Sequence, residues 1–230
     1  MSKVAVIIPA RDEEKALPLV LRDLPPNVID RVIVVDNGSR DRTAAVARAA
    51  GAEVVSEPRP GYGRACLKGL AHLRAQPPEI VLFLDADHSD YPEEASLLLG
   101  PIDHDAADFV LGSRALGRRE KGAMPGHARY GNRLICLLIR ILFGHRYTDL
   151  GPMRAIRYSR LLELEMRDIG YGWTVEMQIK AVRNRLRIRE VPVSYRRRVG
   201  KSKVSGTISG SLGAGFKMLW VIARSLLLSG

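Results

Sequence analysis

Sulfur chemistry is nearly absent from this chain. Its 230 residues include only two cysteines, Cys66 and Cys136, far apart and each in a helix-like stretch. No disulfide framework or Cys/His metal spacing can be built from such a pair, so a reducing cytosol is the expected compartment. Long hydrophobic runs are missing too. A spanning helix needs roughly 18 uncharged apolar residues, but Arg140 interrupts the run at 134–143 and Arg224 the run at 218–228. At the start, Val4-Ala5-Val6-Ile7-Ile8 is too short for an export signal and is closed by Pro9, Arg11 and Asp12. The expectation is a cytoplasmic protein with no signal peptide and no transmembrane helix. Acidic residues are scarce as well: 25 Asp and Glu stand against 36 Lys and Arg, for a net charge of +11. Such an excess draws nucleic acid, anionic headgroups or phosphorylated substrates. The cations crowd late, with Arg183, Arg185, Arg187, Arg189, Arg196, Arg197, Arg198, Lys201 and Lys203 within about twenty residues. No helix-turn-helix, zinc finger or aromatic-interleaved basic motif accompanies them, so nucleic acid is not the expected partner.

What is present is alternation. Hydrophobic residues make up 46% of the chain, which suits a globular domain. Apolar runs at 3–9, 32–35, 53–56 and 80–84 read as buried strands. Between them, 13–24 carries helical spacing at Ala16, Leu17, Val20, Leu21 and Leu24, and helices are expected over 42–50 and 64–75. Farther on, the pattern predicts a strand at 108–112 and a basic, glycine-rich loop to about Gly126. Helices at 129–143 and 173–184, an alternating strand at 187–195 and an amphipathic helix at 211–228 follow. Strand–helix alternation with short connections predicts an α/β fold: a doubly wound, mostly parallel sheet with helices on both faces. One domain is expected over 1–206. The helix in 207–230 is either part of it or a membrane-surface contact. Nothing in the pattern specifies an oligomeric state.

The strand at 80–84 ends abruptly in Asp85-Ala86-Asp87. In an open α/β sheet the carboxyl ends of the strands are where ligands bind. Paired carboxylates there suit Mg²⁺ or Mn²⁺, which keep several waters and bridge a substrate's phosphates. Other strand exits are polar too, at Arg11-Asp12-Glu13-Glu14 and Asp36-Asn37-Gly38-Ser39. Together they would line one crevice.

These exits, in this order, resemble those of family-2 glycosyltransferases with the GT-A fold. The matching residues are 6–14, 34–39, Leu84-Asp85-Ala86-Asp87 and Gly112-Ser113-Arg114. Three further segments resemble the dolichyl- or polyprenyl-phosphate sugar synthases of that family. They are Thr148-Asp149-Leu150-Gly151-Pro152-Met153-Arg154, residues 170–177 and Gly200-Lys201-Ser202-Lys203.

The resemblance implies a metal-dependent, inverting transfer from a UDP- or GDP-sugar, most simply to a polyprenyl phosphate. It implies that Asp85 and Asp87 hold the cation against the donor diphosphate, and that Pro9, Arg11, Glu13 and Asp36 line the nucleotide-sugar pocket. Arg114 would contact phosphate, its guanidinium fork matching phosphate oxygens. Arg197, Arg198, Lys201, Ser202 and Lys203 would clamp the diphosphate or the acceptor phosphate. Asp149 and Glu176 are the remaining acids, and Glu176 is the first choice of base if the acceptor is a hydroxyl. A phosphate acceptor, largely dianionic at neutral pH, needs none. Such synthases often carry Gln where this chain has Ser89, which leaves Ser89 or His88 as the further metal contact.

Other readings use the same residues. The acceptor could be a soluble or cell-envelope hydroxyl. A sugar-nucleotide nucleotidyltransferase would want a glycine-rich basic loop after the first strand, where this chain has Pro9-Ala10-Arg11-Asp12. A non-catalytic polyanion binder would not need acids at every exit. The stretches 134–143 and 216–228 have the apolar surface and flanking cations of helices that lie on a membrane, so the protein is expected to sit peripherally on the inner face.

Overall fold

The computed structural model describes residues 2–200 and 208–227. Seven strands form one sheet: β1 (Val4–Ala10), β2 (Arg31–Asp36), β3 (Glu53–Ser56), β4 (Ile80–Phe83), β5 (Phe109–Ser113), β6 (Arg154–Arg157) and β7 (Ile188–Pro192). Their order is β3-β2-β1-β4-β6-β5-β7. The pairs β1–β2, β1–β4, β2–β3 and β5–β7 are parallel. β6 runs antiparallel to both its neighbours, β4 and β5.

Strands buried on both faces must read as near-continuous apolar runs, and β1 and β4 do. The register Val6↔Leu82 and Ile7↔Phe83 sorts their side chains into two layers. Ile7, Ile33, Val35, Phe83 and Phe109 face one core. That core is filled from α3 (Tyr62–Leu73), α5 (Gly126–Phe143), α6 (Tyr158–Glu163), α7 (Trp173–Arg183) and α8 (Ile208–Leu227). Val6, Ile8, Val34, Leu82 and Leu84 face the other, covered by α1 (Leu17–Asp23), α2 (Thr43–Ala49) and α4 (Ala95–Asp103). The α/β sheet with helices on both faces is therefore as the pattern implies. α8 packs on α5 and α7, which joins it to the same body.

The differences have local causes. The first helix begins at Leu17 rather than 13. Pro18 sits in its first turn, where a fixed φ and a missing N–H suit a helix start. Upstream, Asp12 has φ +50° and Glu13 N donates to Thr43 Oγ1 at 2.7 Å, so the chain is still turning. β6 and α4 escape the pattern. β6 is a four-residue strand with arginine at both ends, one of which, Arg154, is only 1% exposed. Gly151 lets the chain approach the β5 exit: a Cβ there would stand 2.2 Å from Gly112 O.

The β5–β7 edge is tied by charge. Asp108, buried just before β5, accepts hydrogen bonds from Arg187 N (2.9 Å), Nε (3.0 Å) and Nη2 (2.8 Å). The Arg187 hydrogen bonds hold the Asp108 carboxyl at about 2, against an ordinary value of 3.8. A carboxyl lowered in the folded state contributes stability above its unfolded value and loses it as pH falls towards the folded one. Asp108→Asn should cost about 2 kcal/mol at pH 7. In urea-unfolding midpoints measured against pH, the gap from the unsubstituted protein should close between about pH 4 and pH 2.

Candidate active site

The end of β4 crowds carboxylates. Asp85 is half-buried, and Asp87 and Asp90 are buried. Asp87 Oδ1 accepts from Ser89 N (2.9 Å) and Ser89 Oγ (2.5 Å), while its Oδ2 meets Arg198 Nη1 at 2.8 Å. Burial first, and the Asp87 charge second, push the Asp85 carboxyl up to about 7. Asp90 is raised by burial and by both neighbouring aspartates, and neither of its carboxylate oxygens has a hydrogen-bond partner among the described residues. The segment from Arg196 fastens this loop through Arg196 N to Ser89 O and Val199 N to Asp87 O, each 2.9 Å.

Such a cluster calls for a cation, and among the described residues Arg198 pairs with it directly. The set fits a divalent ion of the oxygen-liganded kind. Among the described residues no three His, Cys, Asp or Glu side chains form a ready-made cage. Two carboxylates with phosphate oxygens and water to complete the shell is the arrangement Mg²⁺ prefers. His88 is not the further contact. It has φ +60° and its Nε2 turns away to Asp23 Oδ2 at 2.8 Å. Ser89 spends its hydroxyl on Asp87.

Two cavities meet here. One, of about 800 Å³, is the more polar of the two and lies over the carboxyl ends of β1, β2 and β4, with Pro9, Arg11, Glu13, Asn37 and Asp87 in its wall. The other, of about 380 Å³, lies among α3, α5 and α8. Its wall is largely apolar, including Met124, Leu134, Ile135, Leu150, Met218 and Leu219, with Arg114 projecting into it. Tyr62, Asp85, Tyr171 and Arg198 line both.

The expected site residues divide accordingly. Pro9, Arg11, Glu13, Asp85 and Asp87 come together in the polar cavity, and Arg114 and Arg198 stand at the apolar one. Asp36 does not line either. Its Oδ1 accepts Ser39 N at 3.1 Å, closing the turn, and Asn37 faces the cavity instead. Asn37 is itself fixed, donating to Glu57 O and Arg59 O and accepting from Gly61 N.

Arg114 is held by Asp149 in a fork: Nε to Oδ2 and Nη2 to Oδ1, both 2.8 Å, with Arg114 N also on Oδ2 at 2.7 Å. Burial works against both charges. The pairing prevails, lowering the Asp149 carboxyl and raising Arg114. Asp149 is thus an orienting group, fully buried and fully engaged, in no position to take a proton. Arg114 also lies 5.0 Å over the Tyr195 ring.

Glu176, the first-choice base, is elsewhere employed. Its carboxylate accepts Arg167 N and Asp168 N at 2.7–3.1 Å and pairs with Lys180 Nζ at 2.8 Å, and it lines neither cavity. An acid in the first turn of α7 takes the backbone donors before it, as such acids do. Arg197 likewise turns from the site: its N meets Glu120 Oε2 and its Nε meets Lys121 O. Lys201, Ser202 and Lys203 lie outside the described residues.

Residues 5–164 match the model of glycosyl transferase family 2. The chain belongs to that family. An uncharacterized glycosyltransferase of Mycobacterium bovis is 40% identical over 91% of this chain and 93% of its own. The undecaprenyl-phosphate mannosyltransferase of Micrococcus luteus is 32% identical over 90% of each. Among solved structures, a glucosyl-3-phosphoglycerate synthase of Mycobacterium tuberculosis is similar with a TM-score of 0.75 at 22% identity. That likeness covers 97% of this chain and 79% of the other, and it places the fold as GT-A.

This family-2 glycosyltransferase also uses residues that the strand pattern does not flag. Tyr62 sits between two glycines, and a Cβ on Gly63 would stand 2.0 Å from Asp168 O, so α3 is pressed against the 168–170 turn. In sequence Arg154 is the last residue of the synthase-like segment 148–154. In the fold its guanidinium is buried without a carboxylate, donating to the carbonyls of Thr174, Leu150 and Gly151. It staples the Asp149 loop to α7.

The contrast between the two acids is measurable. Glu176→Gln should lower stability by about 1–3 kcal/mol, by weakening hydrogen bonds to buried donors, and leave kcat per folded molecule within about twofold. Asp149→Asn should release Arg114 and lower kcat by tenfold or more, about 1.4 kcal/mol or more of barrier. Melting curves and sugar-transfer rates on the same preparations separate the two.

Proposed function

We propose that this glycosyltransferase moves a hexose from a UDP- or GDP-sugar to a polyprenyl phosphate at a membrane surface, with Mg²⁺ or Mn²⁺ and with inversion. One observation carries the reading: the polar and apolar cavities join at Asp85 and Arg198, where a donor from one side and a lipid-borne phosphate from the other would meet. A soluble acceptor would have no use for an apolar wall of that size. One relative points the same way, the undecaprenyl-phosphate mannosyltransferase of Micrococcus luteus. The structural neighbour bound to UDP and Mn²⁺ supports the donor class and the metal.

The chemistry follows from the residues. The donor diphosphate lies beside Asp85 and Asp87, and Arg198 shifts from Asp87 to phosphate oxygen. A divalent cation bound by the aspartates supplies positive charge where the leaving diphosphate becomes more negative. Arg114, with Nε and Nη2 committed to Asp149, keeps Nη1 for the acceptor phosphate. An oxygen of that dianion forms the new bond to the anomeric carbon. The bond from that carbon to the β-phosphate oxygen breaks on the opposite side, and the nucleoside diphosphate takes the electron pair. No proton needs removing, which agrees with the engaged states of Asp149 and Glu176.

The membrane side is argued from surface. Among the described residues no helix is long and apolar enough to cross a bilayer. Yet Ile141 on α5 is 67% exposed, and Phe216 and Trp220 on α8 are 73% and 57% exposed. No acidic residue occurs from 122 to 148 or after Glu190. Apolar surface with cations and without acids suits anionic headgroups.

Radiolabelled UDP- and GDP-hexoses, incubated with undecaprenyl phosphate in vesicles plus Mn²⁺ or Mg²⁺, should label the lipid fraction. Asp85→Ala and Asp87→Ala should each lower transfer by about a hundredfold or more, close to 3 kcal/mol. Label passing only to soluble acceptors, or full activity in both variants, would refute the reading.

A further inference from the structure

Behind the acceptor cavity lies a smaller recess of about 70 Å³, walled by Arg119, Arg129, Arg133, Met124, Asn132 and Thr148. Met124 and Asn132 belong to both walls, so the two spaces are next-door neighbours. The three arginines are exposed at the surface. Arg31, Arg114, Arg187 and Arg198 each face a carboxylate. Among the described residues, Arg129 and Arg133 have no ion pair, and Arg119 has only the Met124 sulfur at 3.9 Å. One acid, Asp149, also borders the recess, but its oxygens are occupied by Arg114. Three arginines with no carboxylate partner among the described residues therefore share the wall of this small recess.

Helix geometry says what lies beside it. At 100° per residue, Arg129, Arg133 and Arg140 share one edge of the exposed side of α5. Tyr130, Leu134, Leu137 and Ile141 form the adjoining strip, at 72%, 51%, 49% and 67% exposure. Cations bordering an apolar strip are placed at headgroup depth when that strip enters a leaflet.

We propose that Arg119, Arg129 and Arg133 form a phosphate-binding site, separate from the site of transfer, that takes the headgroup phosphate of an anionic membrane lipid beside the acceptor. A guanidinium fork grips phosphate oxygens two at a time, which an ammonium cannot do. The recess has room for one phosphate group and not for a nucleotide. Holding a bulk lipid there would fix the mouth of the acceptor cavity against the leaflet. The inference rests on the membrane-surface reading given above.

The test is flotation with vesicles of phosphatidylcholine alone and with added phosphatidylglycerol. It compares the unsubstituted protein, the triple variant Arg119→Ala/Arg129→Ala/Arg133→Ala and a charge-matched triple, Arg140→Ala/Arg146→Ala/Arg224→Ala. Melting temperatures verify the fold of each. A cation near an anionic surface is worth roughly fivefold in partition even without a site. A real site predicts that the recess triple loses at least tenfold more of the phosphatidylglycerol-dependent binding than the charge-matched triple, while partition to pure phosphatidylcholine is unchanged. Equal losses in the two triples would mean diffuse attraction and overturn the site. Stabilisation of the unsubstituted protein but not the recess triple by millimolar inorganic phosphate, with equal vesicle losses, would assign the arginines to a soluble phosphate compound and overturn the lipid. Absence of flotation with every vesicle would overturn this inference and the membrane reading together. Anionic preference independent of the three arginines overturns this one alone.

Discussion

Repulsion among carboxylates at the end of β4 is the constraint around which the rest is arranged. Asp85, Asp87 and Asp90 are brought together by a strand whose own residues are wholly buried, so the loop cannot open to relieve them. Like charges at this spacing drive one another towards the neutral form unless a cation intervenes. Arg198 is that cation in this structure, and it reaches Asp87 from the chain end that leads into the basic segment. In the proposed reaction a divalent ion with its diphosphate would offer Asp87 a new partner, and Arg198 a phosphate in return.

The same economy of charge organises the acceptor side. β6, inserted antiparallel between β4 and β5, carries Arg154 inwards opposite Phe83. Burying an uncompensated guanidinium is costly. Hydrogen bonds to three carbonyls recover part of that cost, and they do so at the loop bearing Asp149. Asp149 then fixes Arg114, and Arg114 faces the apolar cavity. Two arginines and one aspartate thus transmit the rigidity of the sheet to a group that would otherwise be a flexible side chain.

Much of this was open to inspection in the residues alone. Parallel strands announce themselves because each is a short apolar run, and their polar exits follow immediately in sequence. Hence β1 to β5 and the aspartates at 85 and 87 could be assigned from local pattern. What escaped was anything decided by distant packing. β6 has arginines at its ends and looks like surface until β4 and β5 enclose it. Asp36 and Asn37 are adjacent, and only the turn to Ser39 decides which of them faces the cavity. Glu176 lies in a segment resembling the synthases, but backbone donors at 167 and 168 claim its carboxylate. Asp90 stands three residues beyond Asp87, and its burial depends on the segment around Tyr195 pairing across it.

The two cavities also explain why one chain needs such uneven surfaces. A nucleotide-sugar is soluble and can enter over polar strand ends, which in a doubly wound sheet lie open at one edge. A polyprenyl phosphate cannot leave its bilayer without exposing the chain to water, at roughly 0.8 kcal/mol per methylene group. With the acceptor proposed above, the enzyme would have to bring its second cavity to the lipid. That requirement would disfavour acidic residues on α5 and α8, and the sequence from 122 to 148 and beyond Glu190 contains no acid. Under the proposed reaction, the excess of positive charge and the apolar strips on these helices would serve one demand: that the phosphate at the end of an insoluble chain reach Asp85 without the chain leaving the membrane.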